Sequence, residues 1–199
     1  ARPPRGMRPL DEGRTLLAAG MVDEARAEAR RVIAALKPFA SPVVGIEPSS
    51  LTTLRDEFLA LLPGEESRAL AARALLLSEL LERDKPALAF KPLEATVHIH
   101  GHCHQKAFGA FPAAVALLKR IPGLTVKPIT SSCCGMAGAF GYQAESLEAS
   151  KAMAELSLLP AVRAAGAEDF EMTEPMFPSA SRRDFLRAGA GVAALAALT

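Results

Sequence analysis

Short β-branched runs alternate with longer Ala- and Leu-rich stretches along this chain, and this alternation restricts its fold more than any other feature. The runs VVGI, TVHIH and LTVKPI predict strands at 43–46, 96–100 and 124–129. The longer stretches predict helices at 15–36, 51–62, 65–84, 104–123 (with a break near Pro112) and 142–165. Strands separated by helices at this spacing indicate an α/β fold with parallel strands.

The composition excludes some classes of protein. Half of the 199 residues are hydrophobic, which is enough to build a core, and the formal net charge is only +1. A nucleic-acid-binding surface usually needs a stronger basic bias, so we expect no nucleic-acid partner. Three cysteines are an odd number, which argues against a disulfide scaffold and indicates a reducing compartment, so we expect a cytoplasmic protein. The start at Ala1, without a methionine, favours a piece of a longer protein.

Two segments of the chain have similar sequence patterns and indicate an internal repeat. The stretches DEGRTLLAAGMVDEARAEARR, from Asp11, and CCGMAGAFGYQAESLEASKAM, from Cys133, both have glycine third, then a small-residue turn, then an Ala/Glu-rich helix. In such a repeat, Asp11 and Glu12 occupy the positions of Cys133 and Cys134. The repeat favours two related lobes.

The three cysteines follow two of the predicted strands. Cys103 comes just after strand 96–100, and Cys133 and Cys134 come just after strand 124–129. Because the carboxyl ends of parallel strands meet at one edge of a sheet, we expect the three thiols to converge. Thiolates are suitable ligands for iron–sulfur clusters and for zinc.

Other features near the cysteines bear on the same chemistry. Gly101 and Gly135 lie beside them and let the backbone approach an inorganic centre closely. Alternative interpretations stay open. Cys103 is also interpretable as a small buried hydrophobic residue, and Cys133 and Cys134 as a disulfide between neighbours. The chain's four histidines all lie here, at His98, His100, His102 and His104, and suit ordinary polar positions as well.

Several segments resemble a known family. HGHCHQKA, SSCCGMAGAFGYQAE and LSLLPAVRAA resemble the C-terminal part of FAD-linked oxidases with an iron–sulfur region, of the D-lactate and D-2-hydroxyglutarate dehydrogenase type. That region has two copies of the cysteine-rich CCG domain. GRTLLAAGMVDEARAEARR and GIEPSSLTTLRDEFLALLPG resemble the later part of the first copy. The resemblance runs from about Leu10 to Ala165.

The resemblance implies a division of the chain and a function. Residues 1–91 correspond to a degenerate first CCG-like half, and residues 92–170 to a truncated second half. Each half is implied to be a lobe of parallel strands and flanking helices. The implied function is the iron–sulfur electron-transfer portion, in incomplete form, of an FAD-dependent 2-hydroxyacid oxidoreductase. The chain alone is not expected to catalyse substrate oxidation, since FAD is implied only on a missing domain or partner subunit.

The resemblance also implies the ligands of the cluster. Cys103, Cys133 and Cys134 match ligands of the second copy, and His102 and His104 are candidates to complete the coordination. A final cysteine, expected beyond a strand after Ala167, is absent, so the implied set is one thiolate short.

The first half departs further from the family. Asp11, Glu12 and Ser50 stand where thiolates are expected, and oxygen ligands suit iron–sulfur clusters poorly. We therefore expect no metal in this half, with Asp11 and Glu12 solvated and capping the following helix.

Two alternatives to the electron-transfer function stay open. One is a small zinc-binding protein that uses the three cysteines together with His102 or His104. The other is a degenerate fragment that binds nothing.

Residues 171–199 form a separate tail. The segment SRRDFLRAGAGVAALAALT resembles a twin-arginine export signal with the pair Arg182 and Arg183, and an ordinary terminal helix is the alternative. Such signals act at an N-terminus, so this copy is not expected to direct export. Its apolar run is also too short to span a bilayer, and we expect no membrane span.

Overall fold

The structure is a computed structural model that describes residues 9–138 and 140–165. The chain divides into two compact units, with the boundary between Leu80 and Leu81. Two regions for which the sequence makes predictions lie outside the described residues: the tail at 171–199, with Arg182 and Arg183, and the stretch after Ala167 where a further strand is expected.

The first unit is built from helices around a small parallel sheet. Its elements in chain order are α1 (Arg14–Ala18), α2 (Val22–Leu36), β1 (Val43–Gly45), α3 (Pro48–Arg55), α4 (Glu57–Leu61), α5 (Glu65–Arg73) and β2 (Ala74–Leu76). Helix α6 (Leu77–Asp84) follows β2 and runs across the boundary. Strands β1 and β2 are parallel, with Val43 opposite Ala74 and Gly45 opposite Leu76.

The core of the first unit lies between helices α2, α3, α4 and α5 and the sheet. Its buried apolar side chains are Ala25, Ala29, Val32, Ile33, Leu51, Leu54, Phe58, Leu61, Leu70, Ala74 and Leu76. Phe58 is the largest fully buried side chain of the described residues. These residues recur at helical spacing along α2 and α3, so burial of one helix face explains why these segments are helical.

The prediction of one helix over 65–84 is wrong. The structure ends α5 at Arg73, inserts strand β2 and starts α6 at Leu77. Ala and Leu are good helix formers, so the sequence pattern favours a helix here. Pairing with β1 and the burial of Ala74 and Leu76, which are 1% and 3% exposed, outweigh that preference.

Other predicted helices are divided. The helix predicted at 15–36 breaks at Gly20, whose φ of 76° lies in the left-handed region that glycine tolerates. The helix predicted at 51–62 begins earlier, at Pro48, and breaks at Asp56, where φ is −125° and ψ is −73°. The break predicted near Pro112 falls at Gly109, with φ of 67°, and Pro112 lies in the first turn of the next helix.

The second unit also contains a two-stranded parallel sheet. Its elements in chain order are β3 (Ala95–Ile99), α7 (Cys103–Ala107), α8 (Phe111–Leu118), β4 (Leu124–Pro128), 3₁₀ helices Phe140–Tyr142 and Ala144–Ser146, α9 (Leu147–Glu155) and α10 (Leu158–Ala164). Ala95 lies opposite Leu124, and Ile99 lies opposite Pro128. The predicted strands at 96–100 and 124–129 are therefore confirmed. The single helix predicted at 142–165 is instead three short helical segments, Ala144–Ser146, α9 and α10, which follow the end of a 3₁₀ helix at Tyr142.

The predicted α/β class with parallel strands is confirmed in this coarse form. Within the described ranges, no helix is both long and apolar enough to cross a membrane.

Candidate functional site

Strand β3 and the turn after it place Cys103 at the first position of helix α7. His102 caps this helix: its Nδ1 atom accepts a hydrogen bond from the backbone N–H of His104 at 3.2 Å. In return the Gln105 side-chain oxygen accepts the backbone N–H of His102 at 3.1 Å. This reciprocal pair is a capping box, which fixes where the helix begins and so fixes the position of the Cys103 backbone.

Gly101 is explained by packing within the protein. A Cβ atom at this position would lie 2.7 Å from ring atoms of Phe111, too close for any side chain. The cofactor-binding role of Gly101 stays a prediction.

Strand β4 leads into the loop that carries Cys133 and Cys134. The backbone N–H of Ile129 donates to the carbonyl of Ile99 at 2.8 Å, so the two chain segments leave the sheet side by side. The His100 Nδ1 atom and the Ser131 hydroxyl lie 2.5 Å apart, which joins the segment after β3 to the segment after β4.

Lys106 makes a second connection between these segments. Its ammonium group donates to the carbonyl oxygen of Ser131 at 3.0 Å and to that of Ser132 at 2.6 Å. Lys106 lies one helical turn after Cys103, and Ser132 immediately precedes Cys133. One side chain therefore ties the Cys103 helix to the backbone that enters the cysteine pair.

The three cysteines lie on two neighbouring segments, the start of helix α7 and the loop after β4. Cys103 is exposed, while Cys133 and Cys134 are half-buried. Burial raises the pKa of the Cys103 thiol above its ordinary value, and the charge of the neighbouring Cys133 raises it further. Cys134 adds a smaller effect in the same direction, and the Lys106 ammonium opposes it. Cys133 and Cys134 are thus near enough to Cys103 for their charges to affect its ionisation.

Gly135 anchors the cysteine loop to helix α9. Its φ is 80°, and a Cβ atom would lie 2.2 Å from the backbone oxygen of Ser150. The Ser150 hydroxyl donates to the Gly135 carbonyl at 2.8 Å. The Gly135 N–H donates to the Cys133 sulfur at 3.3 Å, which holds that sulfur against the backbone of its own loop. The cofactor-binding role of Gly135 stays a prediction.

The histidines next to Cys103 already have contacts within the protein. The rings of His102 and His104 stack with their centroids 5.2 Å apart. Burial lowers the pKa of His100, and the charges of Lys106 and His102 lower it further, so the neutral imidazole is favoured beside Ser131. His102 and His104 thus lie beside Cys103, although one nitrogen of His102 is used to cap helix α7.

The side chains at this site are of the kind that binds a metal centre with a preference for sulfur ligands. Thiolates are the preferred ligands of iron–sulfur clusters and zinc, and three cysteines lie on the neighbouring segments that follow β3 and β4. Within the described part of the chain, however, no group of three or more Cys, His, Asp or Glu side chains has the arrangement needed to hold a metal ion. The cysteines are therefore the right kind of ligand for such a centre, but the described side chains are not arranged to hold a metal ion.

In the first unit, Asp11, Glu12 and Ser50 occupy the positions where thiolates are expected, and each has a hydrogen-bond partner within the protein. The Ser50 hydroxyl donates to the Glu12 carboxylate at 2.7 Å, across 38 positions of sequence. The Asp11 carboxylate accepts the backbone N–H of Gly13 at 2.7 Å. The expectation that Asp11 and Glu12 cap helix α1 is wrong, because Gly13 is the N-cap residue and no side chain caps this helix. Asp11 is exposed as expected, but Glu12 is half-buried.

Sequence reasoning missed Lys106 and the Glu12–Ser50 contact. Lys106 follows Cys103 by three positions, a spacing that places two residues on the same side of a helix. That spacing could have indicated Lys106, but a sequence does not show which carbonyl groups the Lys106 ammonium contacts.

Comparisons with known proteins indicate an oxidoreductase relationship. No family model matches the chain, and no solved structure matches it. The chain is 30% identical over 148 residues to one subunit of the anaerobic glycerol-3-phosphate dehydrogenase of Escherichia coli strain K12, covering 71% of this chain and 37% of that protein. The corresponding protein of Escherichia coli O157:H7 gives the same values.

A second relative is also a dehydrogenase. The chain is 34% identical over 122 residues to D-2-hydroxyglutarate dehydrogenase of Escherichia coli strain K12, covering 58% of this chain and 11% of that protein. The chain thus spans little more than a third of the first relative and about a tenth of the second. It is related to parts of dehydrogenases that extend well beyond the matched segment.

Proposed function

We propose that this chain is the iron–sulfur electron-transfer portion of an FAD-dependent 2-hydroxyacid oxidoreductase, with Cys103, Cys133 and Cys134 as cluster ligands in a CCG-like second half. The placement of all three cysteines on the joined segments beyond the paired strands β3 and β4 carries this proposal. The similarity to two dehydrogenases supports it. A bound cluster supplies one-electron transfer, a chemistry that no protein side chain in this region offers by itself.

The charges at the site suit a cationic centre. Three neighbouring thiolates repel one another, and the raised pKa of Cys103 reflects its burial and this crowding. Lys106 offsets part of the negative charge and holds the cysteine loop against α7. Metal ligands must be deprotonated, so binding at these thiols would release protons and depend on pH.

The flavin belongs to another part of the assembly in this proposal. The chain covers only a fraction of either dehydrogenase, and one of them is named as a subunit. We therefore assign substrate oxidation to an FAD-containing domain or partner subunit and electron transfer to this chain. A cytoplasmic, reducing location, which the odd number of cysteines indicates, belongs to the same proposal.

Metal analysis tests the proposal. Iron and acid-labile sulfide are measured per chain after anaerobic purification, together with the visible absorbance. We expect both elements to be present but below full occupancy, and to be lost within hours in air, because three thiolates leave the coordination incomplete. Cys133→Ser should abolish the absorbance.

Met136→Leu is the matched control. Met136 is another sulfur-bearing residue of the same loop, but it is 41% exposed and its thioether is not a thiolate ligand. This variant should retain the wild-type iron content. Colour that survives Cys133→Ser would contradict the proposal, since it would show that Cys133 is no ligand.

Zinc binding is the second candidate function, favoured by the position of His102 and His104 beside Cys103. Stoichiometric zinc without sulfide, lost in Cys103→Ser, would support it. A wild-type chain that retains neither metal would support the degenerate fragment.

A further inference from the structure

We propose that one face of the sheet in the first unit is the surface through which two copies of this chain associate. This surface, called here the open sheet face, is formed by Val44 and Leu75 and by the residues that follow the two strands, Ile46 and Leu77. It lies in the first unit, so the inference holds whether or not the cysteines bind a cluster.

Helix α3 covers the other face of this sheet. Successive side chains of a strand point to opposite faces, so alternate residues share a face. Ala74 and Leu76 in β2 are 1% and 3% exposed. A Cβ atom at Gly45 in β1 would lie 3.0 Å from the side chain of Leu51 in α3. Gly45 and Leu76, which lie opposite each other, therefore face the helix and the core.

The open sheet face has no such cover within the described residues. Val44 and Leu75 lie opposite each other in the two strands, and Val44 is 42% exposed while Leu75 is half-buried. Ile46 and Leu77 come next along the two strands and are 56% and 42% exposed. Parallel sheets are almost always covered on both faces, so four neighbouring apolar side chains in contact with water indicate a surface that another molecule covers.

The charges near the open sheet face favour a second copy as the molecule that covers it. The four side chains are uncharged, and the charged residues closest to the strands in sequence are Glu47, Arg73 and Glu79. Each of these three is already hydrogen-bonded within its own chain. A partner of different chemistry is usually selected by complementary charge, and this surface presents little charge to select one.

Symmetry and net charge also favour self-association. A two-fold contact needs only one apolar patch, because the same patch serves both copies. The formal net charge of +1 adds little repulsion between them. A stable interface usually buries about 800 Å² on each partner, more than four partly exposed side chains supply. We therefore expect a weak dimer that forms as the concentration rises.

Sedimentation velocity of the full-length chain tests the proposal. It is measured under reducing conditions over about a hundredfold range of concentration. We expect the mass to rise from that of one chain toward that of two. Added salt should not weaken the dimer, because salt screens charges and not apolar contacts. A chain that stays monomeric over this range, or a dimer that salt dissociates, would overturn the proposal.

Ile46→Glu tests whether the open sheet face is the contact. This variant should stay monomeric, because the contact would then bury a carboxylate from each copy. Leu59→Glu is the matched control, with the same change of charge at a 37% exposed position on α4, and it should associate like the wild type. Association that survives Ile46→Glu would belong to another surface, such as the apolar run within 171–199, and would refute the assignment.

Val44→Thr provides a milder change at the same face. Threonine keeps the β-branched shape that suits a strand, so β1 should remain intact. The dissociation constant of the dimer should rise by about tenfold, because each copy then buries a hydroxyl group in the contact. Far-UV circular dichroism verifies that all three variants are folded. An unchanged dissociation constant in Val44→Thr would show that the two copies meet elsewhere.

Discussion

Glu47 shows how one side chain can define the start of a helix. Its carboxylate accepts the backbone N–H groups of Ser49 and Ser50 at 3.1 and 2.5 Å, and the Ser49 hydroxyl at 2.7 Å. Burial alone would raise the pKa of Glu47, but these hydrogen bonds outweigh it and hold the pKa below its ordinary value. The charged form is therefore stabilised in the folded state, where it caps α3.

We expect Glu47→Ala to lower the free energy of unfolding at pH 7 by about 0.5–2 kcal/mol, the usual effect of losing an N-cap. Because the folded-state pKa is depressed, this contribution is complete above the ordinary glutamate pKa and is lost as the pH falls through the folded-state value. Denaturant titrations from neutral to acidic pH should show the two proteins converging. Glu24→Ala, at an exposed position in α2, is the control, and a wild-type-like Glu47→Ala at pH 7 would refute the cap.

Among the helices and strands, the least expected feature is the change from strand β2 to helix α6. The Glu79 carboxylate accepts the backbone N–H of Leu76 at 2.8 Å. It also accepts the Arg55 guanidinium at 2.8 and 3.0 Å, and both side chains are largely shielded. Glu79 thus satisfies the amide at the point where the strand ends and attaches it to α3.

We expect Glu79→Ala to destabilise the protein by about 1–3 kcal/mol, because it removes the Glu79 acceptor from the shielded Leu76 amide and an ion-pair partner from Arg55. Glu82→Ala is the matched control on the same helix. Its long contact with Lys85, at 3.6 Å, is a surface ion pair worth little. Chemical denaturation compares the two variants, and equal midpoints would show that Glu79 does not stabilise the junction.

At the scale of the whole molecule, the segment between α6 and β3 is the part of the chain where we expect proteolytic cleavage. Arg120 holds this segment: its guanidinium donates to the Pro86 carbonyl at 2.7 Å and lies 5.5 Å from the centre of the Phe90 ring. A cation over an aromatic face and a charge-assisted hydrogen bond together restrain the backbone that a protease must bind.

We expect Arg120→Ala to accelerate chymotryptic cleavage after Phe90 by at least about tenfold, since it removes both contacts. Timed digestion under native conditions, followed by mass spectrometry of the fragments, measures this rate. Lys119→Ala, at the exposed neighbouring position, should leave the rate unchanged. Equal rates in the two variants would mean that Arg120 does not protect the segment.

Features that depend on local pattern could be predicted from the amino acids alone. β-Branched runs indicated β1, β3 and β4, and their alternation with helices indicated parallel pairing, because local propensity and burial favour the same structure there. The rule that parallel strands end at a common edge predicts that Cys103 lies near Cys133 and Cys134, and the structure places the segments that carry them side by side.

Features that depend on distant partners became visible only in the folded chain. The sequence of strand β2 favours a helix. The segment is nevertheless extended, because pairing with β1 provides hydrogen bonds and burial that a helix at this position would lack. The Lys106 bonds to Ser131 and Ser132 and the Glu12–Ser50 contact join residues far apart in sequence. Their energies arise from atoms that meet only after folding, so no local pattern contains them.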